Sequence, residues 1–546
     1  MSTTRELILA RQDDPNTAIL FEDERWTYVE YVAACAERAA LLLERREDGP
    51  LHVGVLLDNV PEFPIWLGAA ALAGAVVVGI NPTRRGAELA RDIRHTDCQW
   101  LVTESAYRPL LEGLEHGVAA DRVLDVDSDG YREALSPHRG AAVPDVEVDA
   151  GDIFLLLFTS GTSGAPKAVI CTHRKLILVA QSIAGVASLD QDTVSYQVMP
   201  LFHSNGLFTG FAPTLLVGAA AALRRRFSAS GFIEDVRRFE ATYFNYVGKP
   251  LTYILATPEL PDDGDNTLRS VFGNEAADLD IRRFSERFGV PVTDGYGSTE
   301  TGASISRTDD MPAGALGMAA EGTLVLDSET GSECPRAEFD DDGRLLNAEE
   351  AIGEIVNTTG PALFEGYYNN DEANAARMKG GMYWTGDLAY RDKDGFFYFA
   401  GRDFEWLRVD GENFAAAPVE RILSRFPGVI LAAVYAVPDV EVGDQVMAAL
   451  ELANPDAFDA DAFAAFLAAQ NDLGTKWAPR YVRLSKSLPI TQTSKVQKRL
   501  LRPERWECGE PVLWSPKRDE AYRRITQTDI AEIRRAFEAR GRSNLL

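Results

Sequence analysis

Short runs of apolar, largely β-branched residues recur along the chain, among them LHVGVLL at 51–57, AVVVGI at 75–80, IFLLLF at 153–158 and AVIC at 168–171. Between them lie Ala-, Arg- and Glu-rich stretches of helical period, such as residues 29–45. Continuous apolar runs of strand length, with no polar alternation, are what strands buried on both faces look like. The alternation with helices predicts an α/β protein whose strands are mostly parallel. A length of 546 residues is several times an ordinary domain, so two or three packed domains with hinges between them are expected.

Texture changes near residue 400, where YFAGRDFEWLRVDGENF gives way to a helix-like APVERILSRF and strands around VILAAVYAVP. This predicts a large N-terminal multi-subdomain α/β domain over 1–401 and a small C-terminal α+β domain over 402–501. Residues 502–546, richer in Arg and Glu, read as a C-terminal helical extension. The apolar stretch 65–80 is shorter than the ~20 residues a membrane span needs, and Gly68 and Gly74 interrupt it. It reads as a buried helix followed by a Val-rich strand, so no transmembrane segment is expected. The start, MSTTRELILARQDD, lacks the basic flank and apolar core of a secretion signal.

The formal charge of −28 repels polyphosphate backbones, which excludes nucleic acid as a partner. A small anion such as a nucleotide then needs a local reversal of sign, so a basic residue inside a Gly-rich stretch gains meaning. Cys35, Cys98, Cys171, Cys334 and Cys508 are odd in number, scattered and without a CxxC pair. They read as reduced thiols of a cytoplasmic protein, neither a disulfide frame nor a zinc site.

One stretch answers the charge argument. Thr159, Ser160, Gly161, Thr162, Ser163, Gly164, Ala165, Pro166 and Lys167 lie between two apolar runs. Glycines admit a phosphate close to the backbone, while hydroxyls, amides and one Lys donate to its oxygens. The Walker loop is excluded, because Ala168 and a strand-like run follow the Lys. A flexible polar linker is the other reading, and linkers do not usually join two buried strands.

The TSGTSGAPK stretch resembles the first signature of the adenylate-forming superfamily of acyl-CoA synthetases, luciferases and peptide-synthetase adenylation domains, TSGTTGxPK. The resemblance covers residues 20–501, because further signatures recur in order. It implies an enzyme that uses ATP, Mg²⁺ and coenzyme A. Asp294, Gly295, Tyr296, Gly297, Ser298, Thr299 and Glu300 match its YGxTE element. There Tyr296 lies against adenine, Thr299 contacts the α-phosphate and Glu300 holds the metal. Tyr383-Trp384-Thr385-Gly386-Asp387 and Gly401-Arg402 match the ribose element, through Asp387 and Arg402. Pro489 to Lys495 resembles PxTxxGK with Ser494 in place of Gly, which makes Lys495 the adenylation lysine.

Pro200-Leu201-Phe202-His203, continued by Asn205 and Gly206, resembles the acyl-pocket element and puts His203 near the carboxylate. The stretch offers no Asp for an ammonium group, which favours an uncharged acid. FNYVGKPLTYIL, GNEAADLD and FEWLRVDGENF are similar to the fatty-acid transport protein and very-long-chain acyl-CoA synthetase branch. By that likeness Asn245, Tyr246 and Gly248 line the acyl pocket, Gly273, Asn274 and Glu275 border the nucleotide, and Arg408, Gly411, Glu412 and Asn413 serve CoA. Phe404 takes the hinge position, about which the small domain would rotate between half-reactions.

The implied activity is ligation of a hydrophobic acid, a fatty or steroid side-chain acid, to CoA through an acyl-adenylate. Two rival readings are an acyl-AMP ligase that loads a carrier protein and a lipid-binding accessory without turnover. The expected partners are the small-molecule acid, ATP and CoA, with a homodimer left open.

Overall fold

The computed structural model describes residues 1–159, 166–308, 310–312, 314–340, 345–402, 406–409, 412–440, 443–470, 473–474, 476–491, 496–517 and 520–546, with the backbone alone at 349, 402, 406, 408, 412, 413, 415, 443 and 544. The chain is α/β and divides into two compact units, Met1–Gly302 with Pro361–Gly380, and Ala303–Gly360 with Gly381–Leu546. The residues around the expected hinge, 403–405, lie outside the described residues.

In the first unit a six-stranded sheet runs in the order Val123–Asp125, Cys98–Thr103, His52–Leu56, Val76–Gly79, Ile153–Phe158 and Ala168–Thr172. All neighbours are parallel except the last pair. Its apolar runs are continuous because both faces are covered. Val53, Val55, Val77, Leu155 and Leu157 enter one core, whereas Leu56, Val76, Val78 and Leu156 enter another.

A second sheet in this unit orders Val292–Tyr296, Ser270–Asn274, Tyr243–Val247, Val194–Gln197, Ala220–Leu223, Thr17–Phe21 and Glu24–Thr27. Only the last pair is antiparallel. Its Ile19, Phe21, Ala221 and Leu223 share the large core with the first sheet. Helix Glu62–Ala73 lies in that core, buried at every position from Phe63 to Ala73. The 65–80 stretch is thus a buried helix and the strand Val76–Gly79. Gly74, at φ +65°, ends the helix in the left-handed conformation that glycine adopts at least cost.

The second unit holds four antiparallel strands, Thr323–Leu326, Gly353–Asn357, Met382–Arg391 and Phe397–Arg402. Another sheet is built on Val429–Asp439, Gly443–Leu452 and Tyr481–Ser485. Period-two alternation makes both faces of this sheet apolar. Val434, Ala448, Leu450 and Val482 pack with helices Ala416–Leu423 and Ala460–Ala468 on one side. Ala433, Tyr435, Met447, Ala449 and Tyr481 face the other side.

Leu501, Trp506, Val512 and Ile530 close that second face. The stretch 502–546 is accordingly not helical throughout. Helix Gln527–Ala539 is preceded by strand Val512–Trp514, which pairs with Tyr481–Ser485 and then with Arg523–Arg524. The open sheet edge and the apolar face recruit it.

Candidate active site

Four parallel strands of the second sheet, Val194–Gln197, Tyr243–Val247, Ser270–Asn274 and Val292–Tyr296, are consecutive neighbours and end along one edge. The carboxyl edge of parallel strands is where an α/β sheet leaves backbone and side chains free to bind. The ends of these strands and the turns that follow carry residues 200–206, 246–248, 273–275 and 294–300.

Hydrogen bonds tie those turns together. Ser204 and Thr299 share a buried bond between hydroxyls of 2.7 Å, which joins the acyl-pocket and YGxTE elements. Tyr246 donates its hydroxyl to Asp294 Oδ2 at 2.6 Å, and the same oxygen accepts the Ala276 amide at 3.2 Å. Asn274 Nδ2 donates to the Gly295 carbonyl at 2.6 Å. Gly273 has no room for a side chain, because a Cβ there would run into the Tyr246 ring. Glu275 sits at φ +72°, the left-handed region, at the place where the similar branch carries Gly. Holding a non-glycine there costs about 1–2 kcal/mol.

His203 is half-buried and its Nδ1 accepts the Asn205 amide at 3.3 Å, so a neutral ring carries its proton on Nε2. Phe202 is buried beside it. Asn205 Nδ2 donates to the Tyr246 carbonyl at 3.0 Å and its Oδ1 accepts from Asn245 Nδ2 at 2.9 Å. Gly206 is glycine for lack of space, since a Cβ would meet the Met199 and Pro200 carbonyls. Residues Asn205–Phe211 wind as a π-helix, a widened turn that costs stability and recurs at functional sites. Asn245 and Tyr246 are fully buried. Gly248, at φ +78°, donates its amide to the Asn274 carbonyl.

The TSGTSGAPK stretch lies between two paired strands. Strands Ile153–Phe158 and Ala168–Thr172 pair antiparallel, and the Thr159 amide donates to the Lys167 carbonyl at 3.1 Å. Ser160, Gly161, Thr162, Ser163 and Gly164 lie outside the described residues.

Lys167 Nζ stands 5.8 Å from the centroid of the Tyr367 ring. Desolvation, then the positive charge of Arg377, hold its ammonium below the usual lysine range, against the pull of Glu300. Glu300 is buried and its Oε1 accepts the Tyr367 hydroxyl at 2.8 Å. Lys175, wholly buried, donates to the Glu300 and Ile170 carbonyls, which fixes the backbone under the carboxylate. Thr301 follows at φ +55°, so backbone strain adjoins the acid.

Lys175, Tyr367 and Arg377 escaped the sequence reading, and Ser204 was read only as part of the acyl-pocket element, not as a partner of Thr299. Only proximity reveals them, because none stands inside a motif position that carries a role. Tyr367 is reached through residues 365–370, which run along strand Ala168–Thr172. The Ile170 amide donates to the Gly366 carbonyl and the Tyr368 amide to the Ala168 carbonyl.

In the second unit Asp387 is buried, follows Gly386 at φ +73° and stands directly opposite Arg402 across two antiparallel strands. The Arg402 side chain lies outside the described residues. Strands Trp406–Val409 and Glu412–Ala415 form a hairpin in which Arg408 faces Asn413. Gly411, the side chains of Arg408, Glu412 and Asn413, and Lys495 also lie outside the described residues.

Comparison with known proteins decides what this cluster belongs to. Residues 9–368 match the family of AMP-binding enzymes. The chain belongs to that family. It is an adenylate-forming enzyme, as its motifs imply. It is 48% identical over 548 residues to the steroid-22-oyl-CoA synthetase of Rhodococcus jostii (strain RHA1), covering 100% of this chain and 99% of that protein. It is 50% identical over 517 residues to a medium/long-chain fatty-acid–CoA ligase of Mycobacterium tuberculosis, covering 94% and 99%.

Among solved structures, ATP-bound MatB from Rhodopseudomonas palustris superposes with a TM-score of 0.78 at 25% identity, over 91% of this chain and 98% of that one. The anthranilate CoA ligase AuaEII with anthranoyl-AMP gives 0.80 at 23% identity over 92% and 96%, a likeness of fold. Among the described residues no helix of this AMP-binding enzyme is long and apolar enough to cross a membrane.

Proposed function

We propose that this AMP-binding enzyme is an ATP-dependent acid–CoA ligase acting on a large hydrophobic acid, a steroid side-chain acid or a medium- to long-chain fatty acid. Two relatives near half identity, named for these two acid classes and matched over nearly their whole length, support the reading. The observation that carries it is the 2.7 Å bond between Ser204 and Thr299, because it joins the element that would hold the carboxylate to the element that would hold the α-phosphate.

In the first half-reaction the carboxylate oxygen attacks the α-phosphorus and the bond to pyrophosphate breaks. His203 orients the acid, Thr299 donates to the α-phosphate, and Lys167 with the 159–164 stretch stabilises the departing charge. Lys495 supplies the cation between carboxylate and phosphate. In the second half-reaction the CoA sulfur attacks the acyl carbon and AMP leaves.

The donor set suits Mg²⁺: Glu300 is a single buried carboxylate, next in sequence to the buried hydroxyl residue Thr299. A metal that keeps its waters and binds through phosphate oxygens asks for no more. Glu300 would hold it with ATP, and it would supply neutralisation of phosphate charge.

The reading makes residues 402–501 the mobile carrier of Lys495. Five unbridged thiols, four of them buried, support a reducing compartment, the cytoplasm.

Incubation with ATP, Mg²⁺, CoA and a panel of fatty and steroid side-chain acids, read by product mass, tests the reading. One AMP and one acyl-CoA per acid are expected, and Lys495→Ala should abolish acid-dependent pyrophosphate release. Adenylate that accumulates without thioester would move the acceptor to a carrier protein. No acid-dependent AMP with any acid would end the proposal.

A further inference from the structure

Glu300, the carboxylate assigned to the metal, is held at both its backbone and its side chain. Its carbonyl accepts Lys175 Nζ at 3.2 Å and the Thr301 hydroxyl at 2.6 Å, which sets the main chain under the acid. Its Oε1 accepts the Tyr367 hydroxyl at 2.8 Å. Tyr367 is 1% exposed and packs edge-on against Phe364, with ring centroids 5.2 Å apart. Its backbone is clasped as well: the Tyr367 amide donates to Asn374 Oδ1 at 2.6 Å, and its carbonyl accepts Asn374 Nδ2 at 3.1 Å. The hydroxyl is thus presented from a rigid post.

The neighbours also fix the direction of its proton. Arg377 Nε donates to the Tyr367 oxygen at 3.2 Å. A guanidinium can only donate and a phenol has one proton, so that proton points at Glu300 Oε1. Among the described residues no second hydrogen bond or ion pair reaches the Glu300 carboxylate, and its Oε2 is not sealed from solvent. One oxygen is engaged and the other is open.

We propose that Tyr367 is a positioning residue of the metal site: by occupying Oε1 it leaves Glu300 one oxygen for a divalent cation, which favours Mg²⁺ over Ca²⁺. The inference rests on the reading of Glu300 as the metal carboxylate, but not on which acid is ligated or on CoA as acceptor. Mg²⁺ is small, holds its waters and demands a strict octahedron, whereas Ca²⁺ gathers more oxygens at longer reach and accepts both oxygens of one carboxylate. A carboxylate already held in place also loses less rotamer freedom when the cation arrives.

The rival explanation is that the Tyr367 hydroxyl only supports the fold. Tyr367→Phe removes the hydroxyl and keeps the ring against Phe364. ATP affinity of the full-length protein is measured by calorimetry with Mg²⁺, with Ca²⁺ and with chelator, and thermal midpoints verify folding. The ratio of affinity with metal to affinity without it isolates what the cation adds. In Tyr367→Phe the Mg²⁺ ratio should fall about tenfold, as loss of a hydrogen bond to a charged group predicts, and the Ca²⁺ ratio about threefold or less. ATP affinity in chelator should stay within about twofold of wild type, because the hydroxyl acts only through Glu300. Glu300→Gln should abolish the Mg²⁺ ratio, and adding Tyr367→Phe to it should change nothing further.

An unchanged Mg²⁺ ratio in Tyr367→Phe would overturn the proposal, as would equal losses with Mg²⁺ and Ca²⁺ or with metal and with chelator. A Glu300→Gln protein that keeps its full Mg²⁺ ratio would sink the metal reading and this inference together; one that loses it while Tyr367→Phe does not removes the inference alone. Infrared difference spectra of the wild-type ATP complex on addition of Mg²⁺, referenced to Glu300→Gln, need no variant at Tyr367 to fold. A separation of the antisymmetric and symmetric carboxylate stretches at or above that of a free carboxylate is expected for one bound oxygen. A clearly smaller separation would place both oxygens on the metal and overturn the proposal.

Discussion

His173 opens helix His173–Val186 and is 1% exposed. Its Nδ1 accepts the Thr4 amide at 3.2 Å, and its ring stacks on Phe154 with centroids 4.7 Å apart. Burial pushes its pKa from 6.5 down to about 4, with Asp152 opposing. A base whose folded pKa is depressed is neutral in the native state while the unfolded chain takes up a proton. Its contribution is therefore complete above about pH 6.5, is lost progressively as pH falls from 6.5 to 4, and amounts to ~3 kcal/mol at most. In chemical unfolding across that window, wild type should lose stability faster than His173→Gln, which can still accept the Thr4 amide. Parallel curves for the two proteins would show that this imidazole is not the coupling group. Histidine at the start of a helix looks unremarkable in a sequence; only the docking of helix Thr4–Leu9 makes it a titrating anchor.

The C-terminal stretch shows the same dependence on context at the scale of an element. Its composition predicts a helix, and Gln527–Ala539 is one, with Thr526 and Asp529 forming a capping box. Composition cannot show that Val512–Trp514 completes a sheet, because a three-residue strand exists only through its partner. Trp506 stacks on Tyr481 at 4.7 Å, and Glu504 and Glu510 neutralise the buried Arg483. Trp506→Ala should cost about 3–5 kcal/mol in urea unfolding of the full chain. Removal of 502–546 should cost far more, since it strips Arg483 of Glu504 and Glu510 and leaves Tyr435 and Tyr481 facing water. A truncated protein that keeps its thermal midpoint would refute the covering role.

For the whole molecule, the two units each own separate cores, the large one of the first unit around Trp66 and Trp100 and the paired ones on either face of the sheet that contains Gly443–Leu452. Independent cores unfold as separate cooperative blocks more often than as one. Scanning calorimetry at low scan rate should give a calorimetric enthalpy larger than the van't Hoff enthalpy, and a single two-state transition would count against this division. Composition already implied several domains at this length. The allocation of 303–360 and 361–380 to different units could not be read from it, because contacts distant in sequence decide it.

Sequence alone determined the α/β class, the buried helix and strand over 65–80, and the motifs that place the chain in the adenylate-forming family. Gly, Thr, Glu and Lys at motif spacing state which atoms can approach a phosphate, and that is local information. Tertiary structure decided which side chains meet the motif residues. Lys175 beneath Glu300, Tyr367 between Glu300 and Lys167, Ser204 against Thr299 and Arg377 on Tyr367 come from stretches 67 to 200 residues away from their partners or from a helix without a signature. Parallel sheets bring such positions to one edge through long crossovers. Pairings of that kind follow from register and packing, which no stretch of the chain encodes by itself.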